Sequence, residues 1–265
     1  MGARLNRIWR IVGTAASFAL FGVGGLLFGL VVLPGVRLFV RDSETRKQRT
    51  QQIISLGFSL FIGFMRAVRV LDYEVEGLAH LQVPGRLVVA NHPSLIDVVF
   101  LIAFMRQVDC VVKQHLWRNP VTAMAVRQAG YISNAGGREL TRRCAERIRA
   151  GNRLIIFPEG TRTVPGKALN LQRGAAHIAL QAGADIVPVT IRLREATLTK
   201  GEPWYHVPSR KIQISIHVGT PFHTQDYLDA YDNMPTAARR LTADLSAYYS
   251  TRLGAVESSQ QHHGD

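Results

Sequence analysis

Cysteine is scarce, with only Cys110 and Cys144 among 265 residues. Two isolated thiols supply neither a disulfide framework nor metal-ligand spacing, which fits a reducing compartment. Acidic residues are also few: 19 Asp and Glu stand against 32 Lys and Arg, for a formal charge of +13. Such a surplus calls for an anionic partner, whether nucleic acid, a membrane surface or phosphorylated substrates. Nothing in the chain resembles a recognition helix or an aromatic base-stacking platform, so nucleic acid would account for the charge alone. No repeat is visible. Charge of either sign is missing from Ile11 to Val36, an apolar run long enough to cross a hydrocarbon core.

That run competes with a signal peptide, since Arg4, Arg7 and Arg10 form a basic leader. It is too long for one, and Val31-Val32-Leu33-Pro34-Gly35-Val36 offers no small-residue cleavage site, so it reads as a retained anchor. Gly25-x-x-x-Gly29 is a weak helix-packing signal, and Gly24-Gly25 leaves a re-entrant hairpin open. A second uncharged stretch, Gln51 to Met65, has an apolar part too short to span comfortably. It reads as an interfacial helix with Arg66 and Arg69 beside the headgroups; a buried core helix is the alternative. Arg37, Arg41, Arg46, Lys47, Arg49, Arg66 and Arg69 outweigh the three leading arginines. This balance favours placing the domain that follows on the cytoplasmic face, with a bacterial inner membrane as the expected location. The expected organisation is a membrane anchor and interfacial helix over 1–70, a catalytic domain over 71–256, and a polar tail over 257–265.

From residue 73 onward the pattern alternates strand and helix. Expected strands are Tyr73–Glu76, Arg86–Asn91, Cys110–Lys113, Tyr131–Asn134, Arg153–Phe157, Ile186–Arg192 and Lys211–Val218. Expected helices are Ile96–Met105, Pro120–Gln128, Glu139–Ala150, Arg173–Ala182 and Thr236–Tyr249. This alternation implies an α/β fold, a mostly parallel central sheet flanked by helices, preceded by the membrane-associated helical segment. Thr199–Ser209, with Gly201, Pro203 and Pro208, reads as a long loop.

Two strand ends carry chemistry. After Leu87-Val88-Val89-Ala90 comes Asn91-His92-Pro93-Ser94-Leu95-Ile96-Asp97, with Pro93 suited to a first helical position. Asp97, about one turn into that helix, can fold back on His92, and an imidazole held on one nitrogen can accept a proton on the other. Alone, this pattern is more often structural. After Leu154-Ile155-Ile156-Phe157 comes Pro158-Glu159-Gly160-Thr161-Arg162, suited to an anion because Gly160 lets the backbone approach and Arg162 offers a fork of donors. A tight turn with a surface Glu–Arg pair is the competing reading. In an open α/β sheet both motifs face the carboxyl rim, where ligands gather. Ser94 lies two residues from His92 in no nucleophile elbow, which argues against a Ser-His-Asp hydrolase.

His92-x-x-x-x-Asp97 followed by Phe157-Pro158-Glu159-Gly160-Thr161-Arg162 resembles the glycerolipid acyltransferases, in particular those acting on 1-acylglycerol-3-phosphate. The resemblance covers roughly residues 73–220. It implies that His92 is a general base oriented by Asp97, deprotonating an acceptor hydroxyl that attacks the thioester of acyl-CoA or acyl-carrier protein. No further cofactor and no metal are implied; membrane lipids and the acyl donor are the expected partners. Substrate contacts fall on Glu159, Gly160, Thr161 and Arg162. Lys113, in Lys113-Gln114-His115-Leu116, resembles a basic family segment, with a solvated strand end as the alternative. Val187-Pro188-Val189 resembles the last family block. The second block departs from the pattern: Gly130-Tyr131-Ile132 is followed by five residues, Ser133 to Gly137, before Arg138. Arg138 either binds acceptor phosphate from a shifted position or opens a helix. A metal-dependent hydrolase using His92, Asp97, Glu159 and His177 matches no standard ligand spacing.

Overall fold

The computed structural model describes residues 2–163, 169–194, 199, 207–208 and 210–254. Most of the expected Thr199–Ser209 loop and all of the 257–265 tail lie outside the described residues. Seven strands form one sheet: β1 (Leu71–Glu76), β2 (Leu87–Ala90), β3 (Asp109–Val112), β4 (Ile132–Ser133), β5 (Leu154–Ile156), β6 (Ile186–Leu193) and β7 (Ile212–Val218). Their order is β1-β7-β6-β2-β5-β3-β4, and every pair is parallel except β6 with β7.

The central strands are short apolar runs because both their faces are covered. Along β2, Val88 and Ala90 join one core while Leu87 and Val89 join the other. The first core is roofed by α3 (Ser43–Ala67), α4 (Asp97–Met105) and α6 (Pro120–Gln128). The second is closed by α7 (Arg138–Arg149), α8 (Gly174–Ala182) and α10 (Met234–Gly254). Two short helices, α5 (Gln114–Arg118) and α9 (Thr224–Ala230), carry too few turns for a periodic signal and were not expected from the sequence.

Pro93 does not open a helix. α4 begins at Asp97, with Ile96 as its cap and Ile96 O accepting from Phe100 N–H at 3.1 Å. Asp97 is buried and turns its carboxylate back on the preceding loop, which holds Pro93 and Ser94 in a non-helical path.

The N-terminal segment is a helix through Gly24-Gly25, so no reversal occurs there. α1 (Gly2–Leu27) passes through a π-helical turn at Phe28–Val32 into α2 (Leu33–Phe39). Leu33 N–H bonds Phe28 O, five residues back; the widened turn accommodates Pro34, which has no N–H to give. The chain reverses instead at Val40–Asp42, where Asp42 accepts Thr45 N–H at 2.7 Å and caps α3. α3 returns along α1, with the Phe21 ring 4.9 Å from Phe61. The Gln51–Met65 stretch lies inside α3 and has both characters. Gln51, Ser55, Phe61, Ile62 and Met65 are buried, whereas Leu56 and Leu60 are exposed.

Candidate active site

Two strand ends build the site. At the end of β2, the Asn91 side chain donates to Ile191 O at 2.8 Å and accepts from Ile191 N–H at 2.7 Å. This buried amide therefore extends the β2–β6 pairing by one position; its role in the structure is to hold the loop. His92 follows, and its backbone is gripped by the segment after β5. Its N–H faces Glu159 Oε1 at 3.1 Å and Thr163 Oγ1 at 3.2 Å, and its carbonyl accepts Thr163 N–H at 2.7 Å. Thr163 Oγ1 donates to Glu159 Oε1 at 2.7 Å, closing a three-residue clamp.

The ring is held as firmly as the backbone. His92 stacks on Phe157 with centroids 4.3 Å apart and planes at 26°. Nδ1 lies 2.9 Å from Asp97 Oδ2; Asp97 is 1% exposed and the histidine side chain 21%. With Nδ1–H donating to that carboxylate, the lone pair falls on Nε2. Burial pushes the Asp97 pKa up, opposed by the His92 ring and by the Ser94 donors. Those donors are Ser94 N–H at 2.6 Å and the Ser94 hydroxyl, which makes a short bond to Oδ1. Ser94 is fully buried and its hydroxyl donates to Asp97, so it holds that carboxylate in place.

In the second motif, Gly160 has φ +67° and donates its N–H to Phe157 O at 3.1 Å. A Cβ there would meet nothing within 4 Å, so the left-handed backbone of the turn is what calls for glycine. Thr161 is half-buried beside it. Arg162 sends Nη1 to Thr199 O at 2.9 Å. Burial raises the Glu159 pKa, while Thr163 and the His92 N–H oppose the rise. Arg138 begins α7 and is exposed; it lines a groove of about 1000 Å³ together with Phe157, Pro158, Gly160 and His177. Lys113 is exposed at the end of β3, outside that lining. Among the described residues no three His, Cys, Asp or Glu side chains are arranged to hold a metal ion.

Glu159 and Thr163 thus meet the local His92–Asp97 pair from a segment far away in sequence. The positioning roles of Thr163 and Phe157 were not read from the sequence: Thr163 lies in a loop without periodicity, and an aromatic at a strand end reads as core. Overhead, the Tyr249 hydroxyl of α10 donates to Val89 O at 2.7 Å and pins that helix over β2.

The sequence model of the family described as Acyltransferase matches residues 72–192, which span both strand ends of this site. The segment that carries the site is similar to the acyltransferase family. The chain is 24% identical over 206 residues to a 1-acyl-sn-glycerol-3-phosphate acyltransferase of Pseudomonas aeruginosa, covering 76% of each protein. It is 31% identical over 124 residues to the enzyme of that name from Helicobacter pylori, covering 44% of this chain and 52% of the relative. In fold, the enzyme matches the 1-acyl-sn-glycerophosphate (LPA) acyltransferase PlsC of Thermotoga maritima with a TM-score of 0.68 at 19% identity. That likeness covers 91% of this chain and 96% of the other, and it speaks for the architecture alone.

Proposed function

We propose that the enzyme transfers an acyl group from a thioester donor, acyl-CoA or acyl-carrier protein, to the hydroxyl of 1-acylglycerol-3-phosphate, giving phosphatidate. The observation that carries this reading is the His92–Asp97 pair beside a serine already committed to Asp97. Such a site offers a base without an enzyme nucleophile, and so favours direct transfer. His92 Nε2 takes the proton of the acceptor hydroxyl as its oxygen attacks the thioester carbonyl. The tetrahedral intermediate then expels the thiolate, which recovers the proton from His92. Glu159 and Thr163 act on His92 through its backbone. Gly160, Thr161 and Arg162, with Arg138 across the groove and Lys113 beyond it, supply the phosphate contacts; a guanidinium fork matches phosphate geometry.

Residues 1–70 attach the enzyme to the membrane, and residues 71–256 carry the chemistry. Leu5–Phe39 is long and apolar enough to cross a membrane, and most of its surface is uncovered. The basic residues from Arg37 to Arg69 favour the cytoplasmic face of a bacterial inner membrane.

The test is transfer by the purified full chain in detergent, comparing lysophosphatidate with a phosphate-free monoacylglycerol. Lysophosphatidate should be preferred, and His92→Ala should cut turnover by about 10²–10⁴-fold. Near-normal turnover by folded His92→Ala protein would refute the mechanism; equal use of the two acceptors would refute the assigned acceptor.

A further inference from the structure

A second constellation on the sheet is left unused by this chemistry. In β6, Ile191 is the residue tied to Asn91, immediately before His92. Its neighbours Thr190 and Arg192 point to the opposite face of the sheet by strand alternation, and there Arg252, near the end of α10, joins them. The three line a recess of about 170 Å³, room for a single phosphate group.

Its buried wall holds donors with nothing to donate to. Among the described residues, the hydroxyl of Thr190, itself 2% exposed, has no partner, and neither has Arg192 Nε, an atom shielded from solvent in a side chain that is otherwise half-buried. Burial, followed by the positive charge of Arg252, lowers the Arg192 pKa, and the Tyr248 phenol opposes this. Two guanidinium groups therefore face one recess. A buried donor left unpaired is costly, and like charges add to the cost; an oxyanion relieves both.

The carboxylates nearby do not fill this role. Glu74 and Glu76 of β1 are exposed at the mouth, and Glu76 pairs with His217 at 3.1 Å. The unpaired polar atoms on the buried wall are a hydroxyl and a guanidinium N–H, which selects an anion over a cation.

We propose that Thr190, Arg192 and Arg252 form a second phosphate-binding site, separate from the Pro158–Arg162 loop, which holds a phosphate of the acyl donor. This rests on the acyl-transfer reading above. Acceptor and donor each carry a phosphate ester in that reaction, since both coenzyme A and the phosphopantetheine arm of acyl-carrier protein do. One anion loop leaves the other phosphate to be held. The recess supplies the missing site one strand away from the His92 loop.

The experiment titrates coenzyme A, and separately orthophosphate, into the detergent-solubilised full chain by calorimetry, and measures KM for donor and acceptor. Arg192→Gln and Arg252→Gln should each weaken coenzyme A binding and raise the donor KM by about tenfold, as loss of a charged hydrogen bond does. Acceptor KM should stay unchanged. Arg192→Lys should fall between wild type and Arg192→Gln, and the surface variant Arg240→Gln should behave as wild type. Thermal unfolding verifies that each variant is folded. Coenzyme A affinity and donor KM unchanged in both folded Gln variants would overturn the proposal. So would a rise in acceptor KM alone, or loss of orthophosphate binding with donor KM unaffected. Coenzyme A binding is read without turnover, so a failed transfer assay counts against the functional reading and not against this site.

Discussion

Glu159 carries two loads, a half-buried carboxyl group and the backbone of His92, the proposed base. Its raised pKa means that the folded chain binds the proton more tightly than the unfolded chain, where the group titrates near 4.5. Its contribution to stability is therefore complete below that value and is lost as pH rises through the higher folded value. Glu159→Gln keeps an oxygen to accept from Thr163 and the His92 N–H while removing the charge. We expect this variant to melt above wild type at pH 7–8, with the difference vanishing near pH 4; a pH series of thermal unfolding reads it. A variant less stable at every pH would mean that the ionised carboxylate is needed for the clamp.

At the scale of elements, α3 joins the N-terminal helices to the sheet through a buried polar cluster. Lys47 Nζ lies 3.4 Å from Asp109 Oδ1, and Gln51 Nε2 donates to the same oxygen at 2.8 Å. Arg147 Nε stands 3.9 Å from the other oxygen. Burial raises the Asp109 pKa, with Lys47 and then Arg147 opposing. Gly130 gives the Lys47 stem its room: a Cβ there would come within 2.9 Å of Cδ, at a φ of +69°. Removing one member of a buried pair strands the other, so Lys47→Met should cost about 3–5 kcal/mol. Adding Asp109→Asn, which still accepts from Gln51, should recover most of that loss. A double-mutant cycle by denaturant unfolding measures the coupling, and strict additivity would show that the pair is not linked.

The whole molecule presents an apolar side that its own fold leaves uncovered. Leu20, Val23, Leu26, Leu30, Leu38 and Phe39 are exposed along the first long helix, and Leu56 and Leu60 on α3. The opposite side of the same helix is docked: Trp9 Nε1 donates to Val68 O at 2.9 Å, Leu33 is fully buried, and Thr14 and Ser17 are inside. The helix pair is thus fixed to the catalytic layer while it offers apolar surface to lipid. Truncating residues 1–36 would remove the docking contacts along with the lipid-facing surface. The sharper test is Leu30→Asp with Leu38→Asp in the full chain. Each should weaken vesicle binding, by at most about 2.5–3.5 kcal/mol, with little change in melting temperature. Unchanged sedimentation with vesicles would remove this surface from the membrane contact.

The sequence by itself determined the parts that are local. Leu87–Ala90 and Leu154–Ile156 read as strands because unbroken apolar runs fit a sheet covered on both faces. The pairing of His92 with Asp97 was legible because five residues of loop and cap bring them together. Only the tertiary structure decided what depends on distant segments meeting. It set Thr163 and Glu159 against the backbone of His92, tied Asn91 to Ile191, and brought Arg252 to Arg192. It also decided the fate of the long apolar run, since the spacing of one helix cannot reveal which of its sides another helix will cover. A strand's alternation fixes which residues share its face; which other strands and helices meet that face is fixed by topology, and here that choice assembled the site.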